Sequence, residues 1–407
     1  MPDGQRSSGH PASGPAHVPV GSGIPIQPIT AGLLAALVGF ASTFAVVLQA
    51  LTTVGATQAQ AASGLLALLV AKGVTAIALS LRSRMPISLA WSTPGTALLI
   101  ATGLPSGGFP AAVGAFLVSS ALLVGAGLWA PFGRAVAAIP ISLASAMLAG
   151  VLLELCLAPV RAVGAMPGLA LPVVLAWAVA WRFARPYAIP IAVGVTAVIV
   201  VMATSMPPGA LADIAPHPIF VAPAFNLSAI VGIAVPLFIV TMASQNIPGL
   251  AVLNSNGYHP PVGPIFVATG VASAVASLFG GHLVNLAAIT AALCAGPDAD
   301  RDPSRRWIAS ATAGAGYIAL GMAATFAAAF VAASPPLLIQ AVAGLALLGS
   351  FGAAIQGALI REDERVPAIV TFVTTASGVS FFGIGAAFWG LLAGGAMLAL
   401  ARLGSRR

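Results

Sequence analysis

Runs of about twenty apolar residues recur from residue 30 to residue 402 of this chain, and almost no charge interrupts them. Only 6% of its 407 residues are charged, 59% are hydrophobic, and the mean hydropathy is +1.03. A soluble domain cannot cover its surface with so little charge, so the chain reads as an all-α polytopic membrane protein. Its 45 glycines and 32 prolines fit that class, because both residues are common in packed transmembrane helices. Cys156 and Cys294 both lie in apolar stretches, which argues against a disulfide or a metal site. Residues 1–28 are rich in Pro, Gly and Ser without an apolar core, and they read as a disordered tail and not as a cleaved signal.

Apolar segments fall at about 30–50, 59–81, 86–103, 109–130, 135–157, 168–184, 187–205, 229–251, 262–280, 281–296, 307–333, 335–360, 366–378 and 381–402. Set against the span requirement of about 20 residues, these make about fourteen crossings. Arginines mark every second loop: Arg82 and Arg84, Arg134, Arg182 and Arg185, Arg301 with Arg305 and Arg306, Arg361 and Arg365, and finally Arg402, Arg406 and Arg407. Only Arg161 falls on the other side. The positive-inside rule makes the arginine loops and both termini cytoplasmic, in a multi-pass protein of the bacterial inner membrane. The net charge of +7 is then a topology signal, and no nucleic-acid partner is needed to explain it. The charged clusters DADRDPSRR and REDERVP read as solvated cytoplasmic loops.

Two segments are too short or too interrupted to be simple helices. Residues 84–99, RMPISLAWSTPGTALL, carry Ser-Thr-Pro-Gly halfway along. Pro86 to Trp91 reads as extended, Ser92 or Thr93 as an N-cap, and Pro94 as a first helical residue that needs no N–H. Six extended residues cover roughly 20 Å and ten helical ones roughly 15 Å, which puts the break near the bilayer midplane. The stretch GGHLVNLAAITAALCAG behaves alike, with Gly280-Gly281, a short extended run, Asn285 as N-cap and then a half-helix. Unpaired extended backbone is not tolerated in lipid, so the two strands should pair antiparallel inside the protein. Their half-helix N-termini, at Ser92–Gly95 and His282–Leu286, would then converge on one anion site. A single Ser-Thr-Pro-Gly is more simply a kink in a packed helix; a second break at the equivalent place argues for a site.

Equivalence comes from a weak internal repeat. Gln49 precedes Thr93 by 44 residues, and Gln245 precedes Asn285 by 40. Seven crossings in each half would invert the halves, giving 29–228 and 229–407, an arrangement typical of transporters.

The stretches TMASQNIPGLAVLNSNGY, WSTPGTALL and VNLAAITAAL resemble the signatures of the benzoate:proton symporter family, which is similar in architecture to uracil/xanthine permeases and sulfate-type anion transporters. The resemblance runs from about residue 30 to 400. It implies a core domain (29–132 plus 229–333) moving against a gate domain (133–205 plus 334–403), and proton-driven uptake of benzoate or a similar aromatic carboxylate. It implies no cofactor and leaves room for a homodimer.

Polar residues inside the spans are the candidate ligands. Gln245 and Asn246, beside Pro248-Gly249, are either amide donors to a carboxylate or glue between helices. Gln49 has the same two readings, with glue ahead. Ser92, Thr93, Gly95 and Leu286 would act through the half-helix ends, and Asn285 first as a cap and second as a ligand. Trp91 and Phe279 are candidate walls for an aromatic ring. His282 and Glu154 are the candidate proton carriers. Glu154 lies near the outer end of its helix, where reaching the exterior is an equal reading. Lys72 sits mid-span and departs from the family pattern; snorkelling to the cytoplasm is the slightly favoured reading. The rival classes are an uncoupled anion channel or uniporter of the same fold, a proton-coupled nucleobase or other small-anion transporter, and an intramembrane enzyme. No protease motif or nucleophile–base constellation lies in the spans to support the enzyme.

Overall fold

Thr57-Gln-Ala-Gln60 is a capping box, and it starts the longest uninterrupted helix of the first half. The Gln60 N–H donates to Thr57 Oγ1 (3.2 Å) and the Thr57 N–H to Gln60 Oε1 (2.9 Å). The fold is seen in a computed structural model, which describes residues 25–129, 131, 140–203, 217–287, 289–382 and 384–404. Residues 1–24 of the expected tail, Arg134, Arg406 and Arg407 lie outside the described residues.

In chain order the first half holds α1 (Ile26–Ala41), α2 (Phe44–Thr53), α3 (Gln58–Ser83), β1 (Leu89–Trp91), α4 (Thr93–Thr102) and α5 (Gly108–Leu128). It continues with α6 (Ile141–Ala165), α7 (Pro167–Phe183) and α8 (Ala188–Ala203). The second half holds α9 (Leu227–Ser255), α10 (Val262–Ser277), β2 (Val284–Leu286), α11 (Ile289–Ala295), α12 (Trp307–Gly321) and α13 (Ala324–Ala333). After these come α14 (Pro336–Leu359), α15 (Arg365–Ala376) and α16 (Ala386–Gly404). Among the described residues eight helices are long and apolar enough to cross a membrane, or nine if the pair α12–α13, bent by 59°, is one span. The chain is thus a mostly helical polytopic membrane protein. The remaining elements are shorter than a spanning helix requires.

The two strands pair as the lipid argument requires. β1 runs antiparallel to β2, with Leu89 opposite Leu286, Ala90 opposite Asn285 and Trp91 opposite Val284. The Ser92 N–H donates to the Leu283 carbonyl and the Ala287 N–H to the Ser88 carbonyl, each at 3.0 Å. The extended run is three residues, not the six expected from Pro86. Ile87 and Ser88 donate back to the carbonyls of Met85 and Pro86, so the chain turns tightly there before it extends.

Helix packing falls into two groups. α1, α3, α5, α10 and α12 surround the strands, while α6 packs along α14 and α15, and α15 along α16. Small residues set the closest approach in the first group. A β-carbon on Gly73 would stand 2.6 Å from the Gly314 carbonyl oxygen, and one on Gly314 2.7 Å from that of Gly73, so only glycines let α3 and α12 touch here.

Two clusters of contacts form at arginine-bearing helix ends. Arg84 lies over the Trp307 ring at 4.4 Å, and Gln27 Nε2 donates to the Asp298 carbonyl at 3.2 Å. At another cluster, buried Glu364 accepts hydrogen bonds from Ser142 and from Arg402 (3.2 Å). The first contacts bring the end of α3 to the start of α12 and the start of α1 to the loop ahead of α12; the second bring the starts of α6 and α15 to the end of α16.

Candidate functional site

Ser92 starts α4 by two bonds that its sequence context permits. Its Oγ accepts from the Gly95 N–H (3.1 Å), its carbonyl accepts from the Thr96 N–H (2.8 Å), and Pro94 between them has no N–H to satisfy. The same Oγ shares a 2.6 Å hydrogen bond with Thr241 Oγ1 on α9. Thr93, next along, turns into a cavity of about 80 Å³.

That cavity collects residues from both breaks. Trp91 and Thr93 come from the first, Ala287 and Thr290 from the second, and Gln245 faces them from α9. Lys72 of α3, Tyr317 of α12, Ser42 and Thr43 between α1 and α2, and Ser350 of α14 complete the polar lining. Gln245 belongs to a π-helical turn, Met242–Asn246, that precedes Pro248. Proline cannot donate to the Ser244 carbonyl and its ring displaces it, so the ladder widens there; such π-turns often accompany functional sites. A second π-turn, Ile230–Ala234, precedes Pro236 for the same reason.

Lys72 is the most costly group in the site. It is 1% exposed, so it does not snorkel, contrary to the favoured sequence reading. Its Nζ lies 3.6 Å from the Trp91 ring centroid and 3.5 Å from that of Tyr317. The rings are themselves fixed, because Trp91 Nε1–H donates to Thr43 Oγ1 (2.9 Å) and the Tyr317 hydroxyl to the Ala35 carbonyl (3.2 Å). No ion pair reaches Lys72 among the described residues. A desolvated cation–π contact contributes about 2 kcal/mol, whereas taking an ammonium out of water costs several kcal/mol. The clamp offsets only part of that cost.

The other expected site residues divide. Asn246 does not line the cavity; its Oδ1 accepts from the Leu286 N–H (2.9 Å) and its Nδ2 contacts Met242 Sδ (3.2 Å). It is glue that holds β2, and the Leu286 N–H is thereby already occupied. Asn285 is not an N-cap. It sits in β2 with its Nδ2 donating to the Leu286 carbonyl (2.7 Å), and the described helix starts only at Ile289. The second helix end therefore lies beyond His282–Leu286, which form the connection and the strand. Gly95 is buried behind Ser92 and outside the cavity lining. His282 is buried beside Phe116, ring centroids 6.4 Å apart, and neither ring nitrogen has a partner among the described residues. It does not line the cavity. Nor does Phe279, which packs edge-on against Phe220.

Gln49 lines a different cavity, of about 230 Å³, with Gln58 and Gln340, and its buried Oε1 has no partner among the described residues. Glu154 is exposed on α6 and ion-paired with Arg161, away from both cavities. Tyr317, Thr43 and Thr290 were not singled out by sequence reasoning. A tyrosine amid GAGYIAL, one of only three in the chain, was the available signal for the first.

The cavity between the two paired breaks thus carries one buried lysine and one side-chain amide, Gln245, on its wall. The sequence model of the benzoate membrane transport protein family matches residues 22–400. The chain belongs to this family. It is 41% identical over 372 residues to the inner membrane protein YdcO of Escherichia coli (strain K12), covering 91% of this chain and 95% of that one. It is 32% identical over 364 residues to the benzoate membrane transport protein of Acinetobacter baylyi (strain ATCC 33305 / BD413 / ADP1), covering 89% and 92%. The fold is similar to the transmembrane domain of the cyanobacterial bicarbonate transporter BicA (TM-score 0.55, 16% identity, 91% of this chain and 97% of that one). It is also similar to SLC26A9 (TM-score 0.62, 15% identity, 93% and 65%). This chain is a membrane transporter and not an enzyme.

Proposed function

We propose that this protein imports benzoate or a similar aromatic monocarboxylate with protons, as a multi-pass protein of the bacterial inner membrane with both termini cytoplasmic. The observation that carries the reading is the convergence of both breaks on one cavity. Trp91 and Thr93 arrive from one, Ala287 and Thr290 from the other, and Gln245 faces them. The Gly95 and Thr96 amides are used by Ser92, which leaves the Thr93 N–H at the positive end of α4 for the carboxylate, with the Gln245 amide beside it. Apolar Val38, Ala287 and Ala346 serve the ring.

In this reading the chain crosses the membrane fourteen times as two inverted halves, 29–228 and 229–407. The antiparallel pairing of β1 with β2 supports that symmetry. The group around α3 and α12 is the core that carries the site, and α6, α14, α15 and α16 form the gate. Access alternates as core and gate shift. Proton coupling falls to His282, whose buried ring nitrogens are unpartnered, in preference to Glu154, which Arg161 holds on an exposed face.

Proteoliposomes loaded with an alkaline interior and given labelled benzoate test the proposal. Uptake should rise above equilibrium only while the pH gradient lasts. Thr93→Asp places a carboxylate where the substrate's belongs, and should abolish uptake without affecting insertion. Uptake that ignores the gradient, or a fully active Thr93→Asp protein, would overturn the reading.

A further inference from the structure

Nine acidic residues occur in the whole chain, and only Glu154 lies within an apolar span. Arg161 occupies it, on the exposed face of α6. The other acids of the described residues stand in the loops 298–302 and 362–364, where Arg305, Arg361, Arg365 and Arg402 pair with most of them. Among the described residues no carboxylate thus reaches the lysine buried in the cavity. What the protein supplies is two ring faces, each about 3.5 Å from Nζ. A fixed aspartate there would hold the cation permanently and repel an anion. Aromatic faces hold it in place and leave its hydrogen-bond donors free, because a ring quadrupole attracts a cation without accepting a strong hydrogen bond.

We infer that Lys72 is the charge-selecting residue of the transporter: its ammonium, parked between Trp91 and Tyr317, pairs with the carboxylate of the substrate. The inference rests on the transport reading above and adds to it the source of anion specificity. One buried cation matches one carboxylate, so the class selected is the monoanionic acid, and a neutral isostere of the same shape is rejected. Rejection follows from leaving the ammonium unpaired behind the ligand. The close glycine contact of Gly73 with Gly314 has a role here, since it brings α3 near enough to α12 for one ammonium to touch rings from β1 and α12 together.

Equilibrium binding of labelled benzoate and of benzamide to the purified full chain tests this. The wild-type protein should prefer benzoate. Lys72→Met should weaken benzoate binding about tenfold or more, the worth of a charged hydrogen bond, and strengthen benzamide binding, because no unpaired ammonium is left behind the neutral ligand. A Met variant that melts like wild type and keeps the full preference for benzoate would overturn the inference. If that variant does not stay folded, Lys72→Gln is read the same way. A wild-type protein that binds no benzoate would instead overturn the transport reading. Lys72 is then judged with acetate: binding lost in the Gln variant supports the inference, and binding that does not depend on Lys72 overturns it.

Discussion

The two breaks that frame the cavity look alike in layout and are held by different means. The first is written into its own residues. Ser92 caps α4 and Pro94 fits its first turn, while Thr241 and Thr43 add side-chain bonds to Ser92 and Trp91 from outside. The second shows no such cap among the described residues. β2 is held from two neighbouring helices: Asn246 of α9 takes the Leu286 N–H, and Ser273 of α10 takes the Val284 N–H at 2.8 Å and donates to its carbonyl at 3.2 Å. One architecture has therefore been reached once by local chemistry and once by tertiary clamps. The lesson is that a broken helix in a membrane needs its backbone groups satisfied, and does not care whether the acceptor is three residues or forty away.

The sharpest way to break this contrast is to push the clamp away from the second strand. A β-carbon at Gly249 would lie 2.8 Å from Leu286 Cβ and 2.9 Å from the Ala287 carbonyl oxygen. Gly249→Val should therefore destabilise the protein by about 3 kcal/mol, seen as a lower melting temperature in detergent, with benzoate binding lost. Removing the clamp itself should cost less. Asn246→Ala leaves the Leu286 N–H buried and unpaired, a loss of about 2 kcal/mol in the same melt. A neutral Asn246→Ala would show that β2 holds itself. The smallest effects come from the caps and should differ between the breaks. Ser92→Ala should cost about 1 kcal/mol, while Asn285→Ala should cost less than Ser92→Ala, because Asn285 caps nothing. Equal losses would restore Asn285 to a capping role.

The same contrast explains what could be read from the sequence. The breaks, their pairing and the Ser92 cap follow from residue types within a few positions of each other. Asn285 misled because Asn before a half-helix is a good cap, and nothing local reveals that a distant amide and serine keep the chain extended for two residues more. Lys72 misled for a related reason. A lysine in mid-span reads as a snorkelling side chain unless two rings, 19 and 245 residues further along the chain, are known to close over it. Gln245 and Asn246 show the limit most plainly: adjacent amides on one turn do separate jobs, one on the cavity wall and one on the strand, and a widened helical turn decides which faces where.

The strand pair also restricts how the protein can work as a machine. β1 and β2 are joined by their own ladder and by flanking bonds from Ser92 to Leu283 and from Ala287 to Ser88, all away from water. Prising the half-helices apart would strand those groups where no solvent could replace their partners. The two halves of the site are in effect welded into one casting. In the alternating-access cycle proposed above, the opening would form at the rim of the cavity, where Ala346 and Ser350 of α14 stand, and not between the strands.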